Sequence, residues 1–387
     1  MSSEILRPIT KQSELDQFCA ELSKHDFICV DTEFHRETTY WPELCLIQAS
    51  GPGVEGIIDP LADDLDITPF LNLIAEESRV KVFHAARQDL EIFNRLIGRP
   101  PAPIFDSQIA AMALGLGDSI SYDNLVQRVL RRNVDKSSQF TDWTRRPLTD
   151  KQLKYALGDV THLRDAYLIM QDQLREKGRH GWVREEVAAL EDPALYDTSP
   201  DKAWKRLKIR KPQRDYAALI AAVAAWREER AQSLNKPRRR ILKDDAIYEI
   251  ADQKPRDEKA FSRLRAVPKG FIKSKHANGL LDAIAVALDD ANAFVPPNIK
   301  RKHKAQVPNG APEMLKVLLK HVSEENKVVP RLIANAADIE QIARGETEDI
   351  KAYSGWRKEV FGTKAEALLS GKLALSFQDG RVRLFET

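Results

Sequence analysis

The chain has 387 residues, 43% apolar and 30% charged, a soluble globular composition that allows two or three domains and excludes a membrane-embedded protein. The stretch MSSEILRPITKQSEL has no apolar signal core, and Cys19, Cys29 and Cys45 lack disulfide or zinc-ligand spacing, so a reducing cytoplasmic location is expected. The net charge of +2 hides a segregation: residues 1–200 hold 22 basic and 33 acidic side chains, 201–310 hold 26 and 13, and 311–387 hold 12 of each, as in a metal-dependent site tethered to a polyanion-binding module.

LDQFCAELSK (15–24) has helical apolar spacing. DFICVDTEF (26–34), LCLIQAS (44–50) and VEGIIDP (54–60) read as successive strands, the last two joined by Gly51-Pro52-Gly53. ITPFLNLIAEES predicts a helix, VKVFHA (80–85) a fourth strand, and RQDLEIFNRLIG a helix closed by Gly98. APIFDSQIAAMALGLG reads as a short strand running into a helix, followed by SYDNLVQRVLRR. LTDKQLKYALGDVTHLRDAYLIMQDQLREKG is one long amphipathic pattern, opened by a capping box of Thr149 and Gln152. A mixed sheet flanked by helices is expected, with Pro193 to Pro200 as a linker.

Asp31 and Glu33 end an apolar strand. Residues i and i+2 of a strand face the same side, so these carboxylates project together and repel unless a cation lies between them. Asp89 falls early in the helix after strand 80–85, where an anion is favoured. Tyr155 precedes Asp159 by one helical turn and shares its face. Singly each is an ordinary surface or core-edge residue; in order, each on a matching element, they point to an acidic metal site.

VDTEF, HAARQDLEIF (84–93) and YALGDV (155–160) resemble the three exonuclease motifs of the DEDD superfamily, Tyr-containing subclass. KSSQFTDWTRRPLTDKQLKYALGDVTHL (136–163) and TYWPELCLIQ (39–48) resemble the ribonuclease D family more specifically. The resemblance implies an α/β ribonuclease H-like exonuclease domain over 1–195. LIAAVAAWREERAQSLNKPRRRILKDDAIYEIA (219–251) with KAFSRLRAVPKGFIKSKHANGLLDAI (259–284) resembles an HRDC domain, over 210–292. Residues 311–387 repeat it faintly, Asn235-Lys236 recurring as Asn326-Lys327 and Ile241-Leu242 as Leu332-Ile333. Both segments are expected to be all-α HRDC-type domains, the second packing rather than binding because it lacks the basic excess.

By this resemblance the chain is a 3′→5′ exoribonuclease that releases nucleoside 5′-monophosphates and trims tRNA precursors and other structured RNAs with single-stranded 3′ ends. Two divalent ions are implied; hard oxygen ligands fit Mg²⁺ or Mn²⁺. Asp31 would bridge both, Glu33 and Asp159 would complete the site of the ion that activates water, and Asp89 would support the other. Tyr155 would orient the attacking water, since a phenol of pKa about 10 is a poor base at neutral pH. Phe34, Trp41 and Trp143 are candidates for stacking on terminal bases, and Gln48 and His84 for touching the terminal ribose. Arg238, Arg239 and Arg240, within the run 236–240, and the basic run 202–211 are phosphate-contact candidates. A DNA 3′→5′ exonuclease and an RNA-binding scaffold with a vestigial site are the alternatives; the intact five catalytic positions speak against the latter. Nothing in the sequence marks an obligate protein partner.

Overall fold

The computed structural model describes residues 7–139, 141–292, 294 and 306–387; residues 1–6 of the N-terminal stretch, and 293 and 295–305 between the two expected helical domains, lie outside them. The chain forms two compact units: Met1–Glu33, Cys45–Pro193 and Lys304–Thr387 in one, Phe34–Leu44 and Ala194–His303 in the other.

The nuclease part begins with α1 (Gln12–Leu22), which buries Leu15, Phe18, Cys19 and Leu22 at helical spacing. β1 (Phe27–His35), β2 (Glu43–Gly51), β3 (Val54–Ile58), β4 (Val80–Phe83) and β5 (Ile104–Asp106) form one sheet in the order β3-β2-β1-β4-β5. β2 and β3 make an antiparallel hairpin, with Ile47 opposite Ile58 and Gly51 opposite Val54. β4 runs parallel to β1, and β5 parallel to β4. The sheet is therefore mixed, as expected. Central β1 is covered on both faces, which explains why Ile28, Cys29 and Val30 are all fully buried.

Helices α2 (Thr68–Ala75) and α3 (Arg87–Ile97) cross between strands, the second stopped by Gly98 in the left-handed region at φ 78°. α4 (Ser107–Ala113) and α5 (Tyr122–Leu130) follow β5. α6 (Asp150–Glu176) starts at the expected capping box: the Gln152 N–H donates to the Thr149 hydroxyl (3.3 Å), and the Thr149 N–H to the Gln152 carboxamide (3.1 Å). α7 (His180–Ala188) ends this part. Among the described residues no helix is long and apolar enough to cross a membrane.

In the other unit, α8 (Arg214–Ser233), α9 (Arg238–Ile241), α10 (Asp244–Gln253), α11 (Glu258–Phe261) and α12 (Leu280–Asp289) surround a core that includes Leu219, Val223, Trp226, Ile247, Leu280 and Ile284. The expected linker forms short 3-10 turns at Pro193–Tyr196 and Pro200–Arg206.

The C-terminal segment repeats the order of α8–α10 as α13 (Ala311–Asn326), α14 (Pro330–Ile333) and α15 (Ala336–Ala343). Even the left-handed residue after the long helix recurs, Asn235 at φ 46° and Lys327 at φ 49°. α16 (Gly355–Arg357) then passes through a π-turn (Lys358–Gly362) into α17 (Thr363–Leu369). One correction is needed: this segment is not all-α. β6 (Leu373–Gln378) and β7 (Arg381–Glu386) form an antiparallel hairpin about Asp379 and Gly380, at φ 52° and 74°. Its signal lies in the sequence, since LALSFQ and RVRLFE alternate around Asp-Gly, a preferred two-residue hairpin turn.

The segment packs within the nuclease unit. The Trp182 and Trp356 rings stack at 4.0 Å, and Val329 N–H donates to the Met112 carbonyl (3.2 Å). Arg357, only 1% exposed, pairs with Glu185 (2.5 Å) and with Glu186 and donates to the Leu332 carbonyl (2.9 Å).

Candidate active site

Alternation along β1 sets Cys29, Asp31 and Glu33 on one face. Ser50, on the neighbouring β2, is a hydrogen-bond partner of Cys29 and also donates to the Val160 carbonyl of α6 (2.9 Å). That face is therefore the one α6 covers, and α6 brings Asp159 to it. One carboxylate oxygen from each of Asp31, Glu33 and Asp159 lies within 4.8 Å of the others. Tyr155 hydrogen-bonds to the Asp159 carboxylate. Asp89 stands in the first turn of α3, buried, and accepts a hydrogen bond from the Thr32 hydroxyl (2.5 Å). The structure thus brings together all five residues that the motifs single out.

Other side chains hold these elements in place. Asp106 accepts from the N–H groups of Ala85 (3.2 Å) and Ala86 (2.9 Å) ahead of α3, and from Gln108 (2.8 Å) at the start of α4. The Tyr122 hydroxyl reaches the carbonyls of Gly158 (2.9 Å) and Asp159 (2.7 Å), fixing the turn of α6 that carries Asp159. Arg146 grips Asp59 with two bonds (2.6 and 2.7 Å) and donates to the Cys45 carbonyl (2.7 Å), pinning the approach to α6. Sequence reasoning did not single these out. Asp106 had a signal as an N-cap and Arg146 as part of the Arg-Pro-Leu run; for Tyr122 and Thr32 there was none, because their partners are remote in the chain.

The electrostatics are those of crowded, buried carboxyl groups. Burial, then repulsion from Asp159, raises Asp31 well above the usual carboxylate range. Burial and the neighbouring Asp31, Asp159 and Asp89 push Glu33 up to about 10. Asp89 is raised well above its ordinary value by burial and by Asp31, and Asp159 goes to about 7 through burial, with the Tyr155 hydrogen bond pulling the other way. Burial and the carboxylates also raise Tyr155, so its hydroxyl stays protonated at neutral pH. Four acids this crowded cannot all ionise unaided. A carboxylate-only donor set fits a hard divalent cation.

The expected substrate contacts fare unevenly. Gln48 is fully buried, with neither carboxamide atom hydrogen-bonded, so its expected contact with the terminal ribose is withdrawn: no ribose reaches it there. Trp143, 5% exposed, packs with Cys45, Leu46, Leu153 and Ala156, its ring 6.1 Å from that of Tyr155. It backs the Tyr155 ring and offers no face for base stacking. Half-buried His84 lies with Nδ1 2.9 Å from the Ser107 hydroxyl and its ring against Tyr122, and burial lowers its pKa. Phe34 follows Glu33 on β1, half-buried. Trp41 packs against the helical core. Arg238 gives both Nε and Nη2 (2.5 Å each) to the buried Glu228, so its charge is neutralised inside the protein and its expected phosphate contact is also withdrawn. Arg239 and Arg240 stand exposed on α9.

Comparison with known proteins matches two stretches of the chain. The 3'-5' exonuclease family model matches residues 6–175, and that of the HRDC domain residues 217–284. Ribonuclease D of Bartonella henselae is 44% identical over 98% of this chain and 94% of its own length; that of Nitrobacter hamburgensis is 46% identical over 97% and 98%. The crystal structure of Escherichia coli RNase D, an exoribonuclease involved in structured RNA processing, superposes with a TM-score of 0.80 at 26% identity, covering 95% of this chain and 99% of that one.

Proposed function

The chain belongs to the ribonuclease D family and is a 3′→5′ exoribonuclease, and from that premise we propose how its residues divide the work. Asp31, Glu33, Asp89 and Asp159 would hold two divalent cations, Mg²⁺ or Mn²⁺. The observation that carries this reading is the meeting of Asp31, Glu33 and Asp159 within 4.8 Å. When bound, the ions supply the charge that neutralises the phosphate and favours deprotonated water. Asp31 and Glu33 project together from the end of β1. Tyr155, protonated and tied to Asp159, positions the water and takes no proton. Water oxygen joins phosphorus as the bond to the 3′ oxygen breaks; the shortened RNA keeps a 3′-hydroxyl and the released nucleotide a 5′-phosphate.

Residues 1–195 form the catalytic domain, 210–292 the RNA-holding HRDC domain and 311–387 a second, divergent module of helices closed by a β-hairpin. The substrates are RNAs with a short single-stranded 3′ end, tRNA precursors among them, and the three unpaired cysteines suit a cytoplasmic protein. Incubating the protein with 3′-extended tRNA and with a DNA duplex bearing a matched 3′ overhang, with and without Mg²⁺ or Mn²⁺, tests this. Stepwise shortening of the tRNA, abolished by chelator, is expected. Preference for the DNA overhang would make the protein a DNA exonuclease, and shortening that persists in chelator would remove the metal reading.

A further inference from the structure

The segment Phe34–Leu44 follows Glu33 directly in the chain, yet it groups with Ala194–His303. Tyr40 is its anchor. At 5% exposure it belongs to the core formed by Leu219, Val223 and Ile247. Its hydroxyl meets the carboxylate of Glu228 and accepts from Arg238 Nη2 (2.7 Å) and Gln232 Nε2 (3.2 Å). The Arg238 guanidinium lies 4.5 Å above its ring. Glu228, 1% exposed, is held by Arg238 and by Arg206 (3.1 Å). The backbone N–H groups of Tyr40 and Trp41 both donate to the Asn235 side-chain oxygen (3.1 Å each). Buried charges are tolerable only when such a network is complete, so the segment is fastened at a defined place.

That fastening bears on the reaction. The register of β1 with β4 runs Phe27–Cys29 and stops short of Asp31 and Glu33. The acidic end of β1 is therefore laddered only on its β2 edge, and the path of the chain beyond it bears on where the carboxylates sit. We propose that Phe34–Leu44 is a strap by which the helical unit fixes the end of β1, making Tyr40 and Asn235 positioning residues for hydrolysis. The proposal rests on the reading that Asp31 and Glu33 are catalytic.

Asn235 allows a clean test, because its φ of 46° suits glycine. Asn235→Gly removes the acceptor without adding backbone strain, while Asn235→Asp keeps an oxygen there. On a short single-stranded RNA, Asn235→Gly is expected to lower kcat about tenfold through misplacement of the carboxylates, with KM little changed. Asn235→Asp should restore kcat. Hydrogen exchange should speed up in the peptide covering 31–41, with the protection of α8 retained. Unchanged kcat and unchanged exchange in folded Asn235→Gly would overturn the strap, as would a change in KM alone. Asp31→Asn, run alongside, separates the two readings: an active Asp31→Asn removes the catalytic assignment itself, whereas an inactive one beside a normal Asn235→Gly removes only the strap.

Discussion

The helical segments 214–289 and 311–369 share an order of elements and differ in what surrounds them. The first lies in a stretch with twice as many basic as acidic residues and presents Arg239 and Arg240 to solvent. The second lies in a charge-balanced stretch and turns one of its arginines inward, with Arg357 buried against Glu185 and Glu186. Each segment thus holds both inward and outward arginines, Arg227 being buried in the first and Arg331 exposed in the second, and the two differ chiefly in charge balance. Exposed guanidinium groups are available to phosphates, whereas a buried one needs carboxylates from its own chain.

The largest effect belongs to neither helical segment. Asp31→Asn should lower kcat by about 10³ or more, since each bound metal supplies several kcal/mol of transition-state stabilisation. If the helical segments serve binding and support alone, RNA affinity should stay as it was, and the fold should hold because repulsion with Asp159 and Glu33 is relieved. Turnover near normal, measured on the purified folded variant, would break the assignment.

Next comes the inward arginine. Arg357→Ala leaves Glu186, partly buried, with only Lys351 at 4.0 Å and should destabilise the protein by about 2 kcal/mol, a figure reduced because Glu185 is 41% exposed. Denaturant unfolding reads it; kcat at low temperature should be spared. Changing Glu185 and Glu186 to Gln together with Arg357→Met should recover most of the loss. A loss below about 0.5 kcal/mol, as for a surface pair, would erase the contrast between inward and outward arginines.

A smaller effect concerns the metal site and pH. Glu33 and Asp159 have folded-state pKa values raised to about 10 and about 7. The metal-free folded protein therefore holds protons that the unfolded chain releases above the ordinary carboxylate range, and its stability falls as pH rises from about 5 through 7 towards 10. Cations bind the ionised carboxylates and oppose this. Mn²⁺ should raise Tm by a few degrees more at pH 9 than at pH 6, as scanning calorimetry can show, and Asp31→Asn should shrink that difference. Equal Mn²⁺ shifts at both pH values would contradict it.

What the sequence made legible follows from range. Asp31 and Glu33 share a face by strand alternation, Tyr155 and Asp159 by helical spacing, and Thr149 and Gln152 make a local cap; such relations lie within a few residues. The bond from Tyr122 to the carbonyls of Gly158 and Asp159, the Arg146–Asp59 pair and the capture of Tyr40 by Glu228 join distant stretches, and no periodicity announces them. Burial was the other blind spot. Gln48 and Trp143 look like substrate contacts by type, but only the covering of the sheet by α6 and its approach decides that they face inward.

The smallest expected effect tests the outward arginines. Arg239→Gln with Arg240→Gln removes two exposed cations and no packing, so stability should change by less than about 0.5 kcal/mol. If each releases counterions on meeting a phosphate, the slope of log K against log salt should become shallower by roughly 1 to 2, and affinity for a structured RNA should fall several-fold at low salt. Turnover on a saturating short oligonucleotide should not move, because neither side chain belongs to the acidic cluster. Arg238→Gln is the internal control. It strips the buried Glu228 of its bidentate partner and should destabilise the helical unit instead of flattening the salt slope. If Arg238→Gln and the Arg239/Arg240 double variant behaved alike, the inward and outward arginines of α9 would not be doing different things. The distinction drawn between buried and exposed arginines would then have no basis even within one short helix.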